Sequence, residues 1–214
     1  MEIKTIKTSW GSGEMKQNTY VVEGDKTCVV IDAGAQLWQV QELTDKPIEA
    51  VFITHGHFDH VDYIEEYDKL GVPIYASKHL KDVLFDEILN VSGHKSYKVK
   101  NIVTIEDDNV IEALTGDIKC METPGHSEDS MCYLLNNQIL FSGDTVFSIA
   151  VGRTDLPTGN SKELIKSLNR ILNLDYITLF TGHGRPSDKQ EQNKNIPKWI
   201  DYLTKKGEQN LCQR

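Results

Sequence analysis

The sequence predicts one α/β domain, spanning residues 1–214, with strands of mixed direction. Three observations lead there. Short β-branched runs alternate with segments of helical period from one end of the chain to the other. Several neighbouring β runs stand too close for the dozen or more residues that a parallel crossover needs, so hairpins must occur beside crossovers. No linker, repeat or shift of composition divides the 214 residues, a length that one hydrophobic core can serve.

The elements follow in order. Residues 19–22 and 27–31 flank the turn-type pair Gly24-Asp25 and predict a hairpin. Residues 33–42 suit a short helix, and 50–53 read as a buried strand ending at Thr54. From Asp59 to Leu70 the apolar positions Val61, Ile64, Tyr67 and Leu70 recur every third residue among acids, and Gly71 stops the pattern as a helix end should. A strand over 72–76 follows, then an irregular stretch, 86–101, read as a loop or lid. Strands are expected over 102–105, 110–113, 118–121, 131–135 and 139–142. Asn160 with Glu163 three residues on resembles an N-cap and its capping box, and Leu164, Ile165, Leu168, Ile171 and Leu172 form one face of the helix it opens. Residues 177–180 are a late strand, and 188–206 are mostly helical, broken before Pro197.

Composition narrows the function. Lys and Arg total 23 against 32 Asp and Glu, a net charge of −9, which weighs against a nucleic-acid backbone as partner. No run approaches the roughly 18 apolar residues of a membrane helix. The first residues mix charge with apolar side chains and show no export signal. Cys28, Cys120, Cys132 and Cys212 are far apart and form no CxxC pair, as suits reduced thiols in the cytoplasm; the first three read as small core residues.

The chemistry lies in the histidines. The strand 50–53 runs into Thr54-His55-Gly56-His57-Phe58-Asp59-His60. A loop leaving a strand sends His55 and His57 to one side, while Asp59 and His60 fall on the first turn of a helix. Three later segments share one form, an apolar strand and then a turn in which Gly precedes a ligand-type residue: Pro124-Gly-His126, Ser142-Gly-Asp144 and Thr181-Gly-His183. Five of the seven histidines thus end predicted strands, and His79 and His94 do not. Imidazole suits zinc and iron, and carboxylate adds hard-donor character for iron or manganese.

HxHxDH followed by PGHS, SGDT and TGHG resembles the metallo-β-lactamase-fold hydrolases over about residues 18–185. The resemblance implies an αββα sandwich of two mixed β-sheets flanked by helices, with two divalent ions, zinc first and iron or manganese as alternatives. By motif, His55, His57 and His126 would hold one ion and Asp59, His60 and His183 the other, with Asp144 bridging both. Asp32 in Val30-Ile-Asp-Ala-Gly34 matches the family's early aspartate and would support the metal loop without ligating. Gly152-Arg153-Thr154-Asp155 is similar to the GRTD segment of glyoxalase II-like proteins and of persulfide dioxygenases, which act on thiol derivatives, so Arg153 would bind a substrate carboxylate or else pair with Asp155. Only 31 residues follow His183, so the resemblance is to the short, single-domain glyoxalase II-like proteins.

The family's chemistry then implies a hydroxide held between the ions that attacks a thioester carbonyl, with Asp59 orienting it and taking its proton. The partner expected is a small-molecule thioester, not a nucleic acid or a membrane, and the chain would be a monomer or homodimer. The alternative within the fold is an oxidoreductase like the persulfide dioxygenases, with one iron on His55, His57 and either Asp144 or His126. A metal-stabilised module without activity is the third reading; structural zinc sites close with four ligands, whereas seven ligand-type residues imply open positions.

Overall fold

The computed structural model describes residues 1–9 and 16–212, with side chains to residue 206. Twelve strands among these form two sheets. The first contains β1 (Glu2–Ser9), β2 (Lys16–Glu23), β3 (Cys28–Ile31), β4 (Ile48–Phe52), β5 (Ile74–Ser77) and β6 (Ile102–Ile105), side by side in chain order. Its first three strands are antiparallel and β3 to β6 run parallel. The second sheet runs from β7 (Val110–Ala113) through β8 (Gly116–Glu122), β9 (Met131–Leu135), β10 (Ile139–Phe141) and β11 (Thr178–Phe180) to β12 (Ser187–Asp188). Only its β10–β11 pair is parallel. Both sheets are mixed, as the spacing of the β runs requires.

The two-residue period of the strands divides their side chains between two environments. On β3, Val29 and Ile31 face the second sheet, while Cys28 and Val30 face helices. On β9, Met131, Tyr133 and Leu135 point into the sandwich, and Cys132 and Leu134 point out to a helical layer. Both faces being covered explains why these strands read as unbroken apolar runs. Over the first sheet lie α1 (Leu37–Leu43), α2 (Phe58–Val61), α3 (Ile64–Asp68) and α4 (Leu80–Phe85); over the second lie α5 (Ser161–Leu172) and α6 (Lys189–Cys212). The arrangement is the expected αββα sandwich. Cys28, Cys120 and Cys132 are free and buried in it, and Cys212 lies outside the described side chains.

Several elements differ from expectation. The helix expected over 59–70 is two short ones, because the Tyr63 N–H leaves the helical ladder to donate to Ala33 O (3.0 Å) and Asp62 is held by Lys95 Nζ (2.7 Å). The helix expected from residue 33 starts at Leu37, since the N–H groups of Ala33 and Ala35 donate to His60 O and Thr19 Oγ1. The expected break before Pro197 does not occur: α6 runs through the proline. Ile196 and Leu203 bury against α5 on either side of it, and that packing outweighs the one backbone hydrogen bond a proline removes. Residues 86–101 are irregular as expected but form a bracket and not a lid. Asn90 and Tyr97 are fully buried, and Asn90 O accepts the Phe58 N–H at the start of α2 (2.8 Å). The strands β1 and β12 and the helix α4 had no signal strong enough to predict them.

One edge of the sandwich collects the ends that matter. There β3, β4, β8, β10 and β11 finish, and the two sheets are laced together. Tyr133 OH donates to Ile53 O and Tyr20 OH to Thr181 O (both 2.6 Å), while the Asn18 N–H donates to Gly182 O (2.8 Å) and the Met131 N–H to Thr54 O (2.7 Å).

Candidate metal centre

Each strand that ends at this edge delivers a polar side chain within one to four residues of its last residue. β3 delivers Asp32; β4 delivers His55 and His57, and then Asp59 and His60 on α2; β8 delivers His126, β10 Asp144, and β11 His183. Their ligand-type atoms converge. His55, His57 and His126 form one group with all atoms within 4.8 Å of one another, Asp59, His60 and His183 another, and His55, His60 and Asp144 a third that joins them. Asp144 stands between the first two, 3.3 Å from His60 Nε2 and from His183 Nε2, and 3.7 Å from His126 Nε2.

What lies behind the imidazoles determines which nitrogen faces inward. His60 Nδ1 donates to Asp32 Oδ2 (2.7 Å), and Thr54 donates its N–H and its hydroxyl to the two oxygens of the same carboxylate (2.7 and 2.9 Å). With its own proton committed to Asp32, the Thr54 oxygen accepts from His55 Nδ1 (3.1 Å). His126 Nδ1 donates to Arg153 O (2.8 Å) and His183 Nδ1 to Lys16 O (3.1 Å). Four rings thus have Nδ1 fixed as a donor and turn Nε2 to the centre, the tautomer control found where outer hydrogen bonds orient a metal-ligating histidine. His57 brings its Nδ1 to 2.9 Å from His126 Nε2.

The donor set fits a divalent cation on its own evidence. His55 Nε2, His57 Nε2 and Asp144 Oδ1 are buried without a hydrogen-bond partner, and buried polar atoms are rarely left so unless something else satisfies them. Burial pushes His55 well below its ordinary value and His57 down to about 3, with neighbouring imidazoles adding to the effect, so both rings are neutral and keep a lone pair. The opposite holds around the carboxylates. Burial is the largest influence on His60 and His183 and lowers them, but Asp144 and the other nearby carboxylates outweigh it; His60 is lifted well above its usual range and His183 to about 10. Burial likewise works against ionised Asp144, yet His183 and His60 hold it well below the usual carboxylate range, and Asp59 is lowered in the same way. Buried carboxylates among these imidazoles call for compensating positive charge, which divalent cations match.

Two glycines of the strand-end turns make room. Gly125 has φ +140, and a side chain on it would meet the backbone of Leu164. A side chain at Gly182 would strike Asp144 Oδ1. Asp32 itself adopts φ 65, a left-handed conformation that aspartate tolerates better than most residues.

Of the residues singled out in the sequence, Asp32, His55, His57, Asp59, His60, His126, Asp144 and His183 come together here. Arg153 reaches the mouth, but its guanidinium grips Asp155 with two 2.7 Å bonds and is 62% exposed. His79 and His94 lie outside the cluster, the first 3.7 Å from Glu128 and the second donating from Nδ1 to Ser92 O. Sequence reasoning missed Asp129. It is buried, accepts the Gly56 N–H on Oδ2 and the Ser127 hydroxyl on Oδ1 (both 2.7 Å), and so holds the loop between His55 and His57. In sequence it looks like any Asp in a Ser-flanked turn.

A cavity of about 750 Å³ opens over the cluster. It is lined by His126, Asp144 and His183 of the cluster, by the loop Phe147–Arg153, and by Lys7, Lys16 and Arg185. No helix among the described residues is long and apolar enough to cross a membrane.

A family model described as the metallo-beta-lactamase superfamily matches residues 12–183. The probable metallo-hydrolase YqgX of Bacillus subtilis (strain 168) is 32% identical over 196 residues, covering 85% of this chain and 92% of that protein. Among solved structures, the B3 metallo-beta-lactamase BLEG-1 is similar with a TM-score of 0.79 and 28% identity, covering 92% of this chain and 99% of that one. TTHA1623 in a di-iron-bound form has a TM-score of 0.75 and 27% identity, covering 90% and 98%.

Proposed function

The chain belongs to the metallo-beta-lactamase superfamily, and from that premise we propose that it is a metal-dependent hydrolase of small-molecule thioesters, similar to the glyoxalase II-like proteins. The observation that carries the proposal is the convergence of five histidines and two aspartates at a cavity, with three of their atoms buried and without a hydrogen-bond partner. Its finer half, the thioester, is supported by the segment Gly152-Arg153-Thr154-Asp155, whose Gly152 and Arg153 line the cavity, and by an apolar lining able to take an acyl group.

In this reading His55, His57 and His126 would hold one divalent ion and Asp59, His60 and His183 a second, with Asp144 shared. Zinc is the metal proposed, with iron, present in TTHA1623, and manganese as alternatives. Bound ions would supply Lewis acidity at a carbonyl oxygen and bring a water's ionisation toward neutral pH. The chain's own groups do the rest. Asp59 reaches His183 Nε2 with Oδ2 (3.2 Å) and would orient the attacking water and take up its proton. Asp32, Arg153 O and Lys16 O hold the rings from behind, so that the donor set need not reorganise during reaction. The apolar side chains of 147–151 would pack along the acyl group. Arg153 stands where it can meet a substrate carboxylate in competition with Asp155.

Metal content of the protein purified without added metal, measured beside hydrolysis of a thioester panel and O₂ uptake with a persulfide, tests the reading. Thioester turnover proportional to bound metal supports it. Oxygen uptake without hydrolysis replaces it with an oxygenase.

A further inference from the structure

The inner face of the first sheet carries lysines where its alternation calls for apolar side chains. In the β1–β2 pair, Lys7 stands opposite Asn18 and Ser9 opposite Lys16. By the two-residue period all four share the face that bears Ile3, Tyr20 and Val22, which pack between the sheets. Toward the site edge that face leaves the core and opens into the cavity, where Lys7 and Lys16 line the wall with His126, Asp144 and His183. Lys16 is tied to the cluster, because its carbonyl accepts from His183 Nδ1 (3.1 Å).

The cations around this mouth are not equivalent. Arg153 is answered by Asp155 and Arg185 by Glu191, each through two bonds. Lys7 and Lys16 form no ion pair among the described residues, although Lys4, on the same strand as Lys7, pairs with Glu23 at 2.8 Å. Like charges at diagonal positions of one sheet face repel. In a chain of net charge −9, two ammonium groups without a carboxylate partner among the described residues stand beside the cluster and favour an arriving anion. The same cavity is lined by the apolar side chains of Phe147, Ala150, Val151 and Ile149, the last 69% exposed.

We propose that Lys7 and Lys16 form an anion subsite that takes a carboxylate or phosphate of the substrate while its apolar part lies along the 147–151 wall. The subsite deepens the hydrolase reading and rests on it only for the bond cleaved. Ammonium groups suit either anion as point charges, whereas the fork of Arg153 has to leave Asp155 before it meets a substrate.

Binding of thioethers, which lack the carbonyl that a thioester hydrolase attacks, tests it on the protein as purified with its metal. S-hexylglutathione carries carboxylates, S-hexyl-coenzyme A carries phosphates, and S-hexyl-N-acetylcysteamine is neutral; each is titrated calorimetrically into wild type, Lys7→Ala/Lys16→Ala and Lys7→Glu/Lys16→Glu. One anionic thioether should bind wild type about 10-fold or more tighter than the neutral one, and the double alanine variant should lose about that factor. Charge reversal should lose more, the neutral compound should change less than about two-fold, and the preferred anion identifies carboxylate or phosphate. The proposal falls if neither anion outbinds the neutral compound, or if the alanine variant binds as wild type or weakens all three alike. Thioester turnover is scored separately. Lysine-dependent anion binding without turnover rejects the hydrolase reading and keeps the subsite, and turnover with lysine-independent binding does the reverse.

Discussion

Asp59, half-buried, and Asp129, buried, are acids beside the same loop, yet they face different tasks. Asp59 turns Oδ2 toward His183 and His60 at 3.2 and 3.8 Å, whereas Asp129 faces backward onto a backbone N–H. Asp59→Ala should lower thioester turnover by about 10²–10⁴-fold with an unchanged circular dichroism spectrum, as loss of a proton-handling group does. Turnover within a factor of two of wild type would remove Asp59 from the mechanism. Asp129→Ala leaves the Gly56 N–H buried and unpaired, at a cost of about 1–3 kcal/mol. Its melting temperature should drop and its metal occupancy, read by elemental analysis, should fall with it. A variant equally stable and fully loaded would show that the His55–His57 loop needs no such brace.

At the scale of elements, the start of α5 and the turn before His126 depend on each other. Asn160 Oδ1 accepts the N–H groups of Lys162 and Glu163, its own N–H donates to Gly125 O (2.8 Å), and Gly125 lies against the Leu164 backbone. Replacing Asn160 with Ala should destabilise the protein by about 1 kcal/mol, as removal of an N-cap side chain does, measured by urea denaturation. No change in the denaturation midpoint would mean the backbone contact alone seats the helix. The paired helices α2 and α3 show the reverse dependence. Their sequence supports a single helix, and Ala33, Asp62 and the 86–101 bracket divide it so that Asp59 and His60 sit at a helix start beside the cluster.

Across the whole molecule, the cluster sits at the edge where the two sheets are laced together, so metal and fold should be coupled. Ligands that bind only the native state stabilise it by mass action, about 4 kcal/mol at a thousand times the dissociation constant. Dialysis against a chelator should therefore lower the melting temperature by several degrees, and adding back one divalent metal should restore it. Identical melting curves before and after chelation would separate the cluster from the stability of the sandwich.

The α/β class, most strands and the residues of the cluster were legible in the sequence because each rests on a local rule: alternation along a strand, an N-cap at Asn160, and Gly before a ligand-type residue at a strand end. Where the pattern was ambiguous, tertiary contacts made the choice. They divided the 59–70 helix, carried α6 through Pro197 and fastened 86–101 down as a bracket, each because a long-range hydrogen bond or buried contact outweighed local preference. Asp129 shows the same limit at one residue, since its role depends on Gly56, 73 positions away. By itself the sequence determined which side chains can carry metal chemistry, because donor type and local spacing are written along the chain. Only the tertiary structure decided which nitrogen each ring turns inward, that Arg153 is held by Asp155, and that Lys7 and Lys16 share the mouth of the cavity. Orientation and charge compensation depend on what the fold packs behind and opposite a residue, and no run of neighbours encodes that.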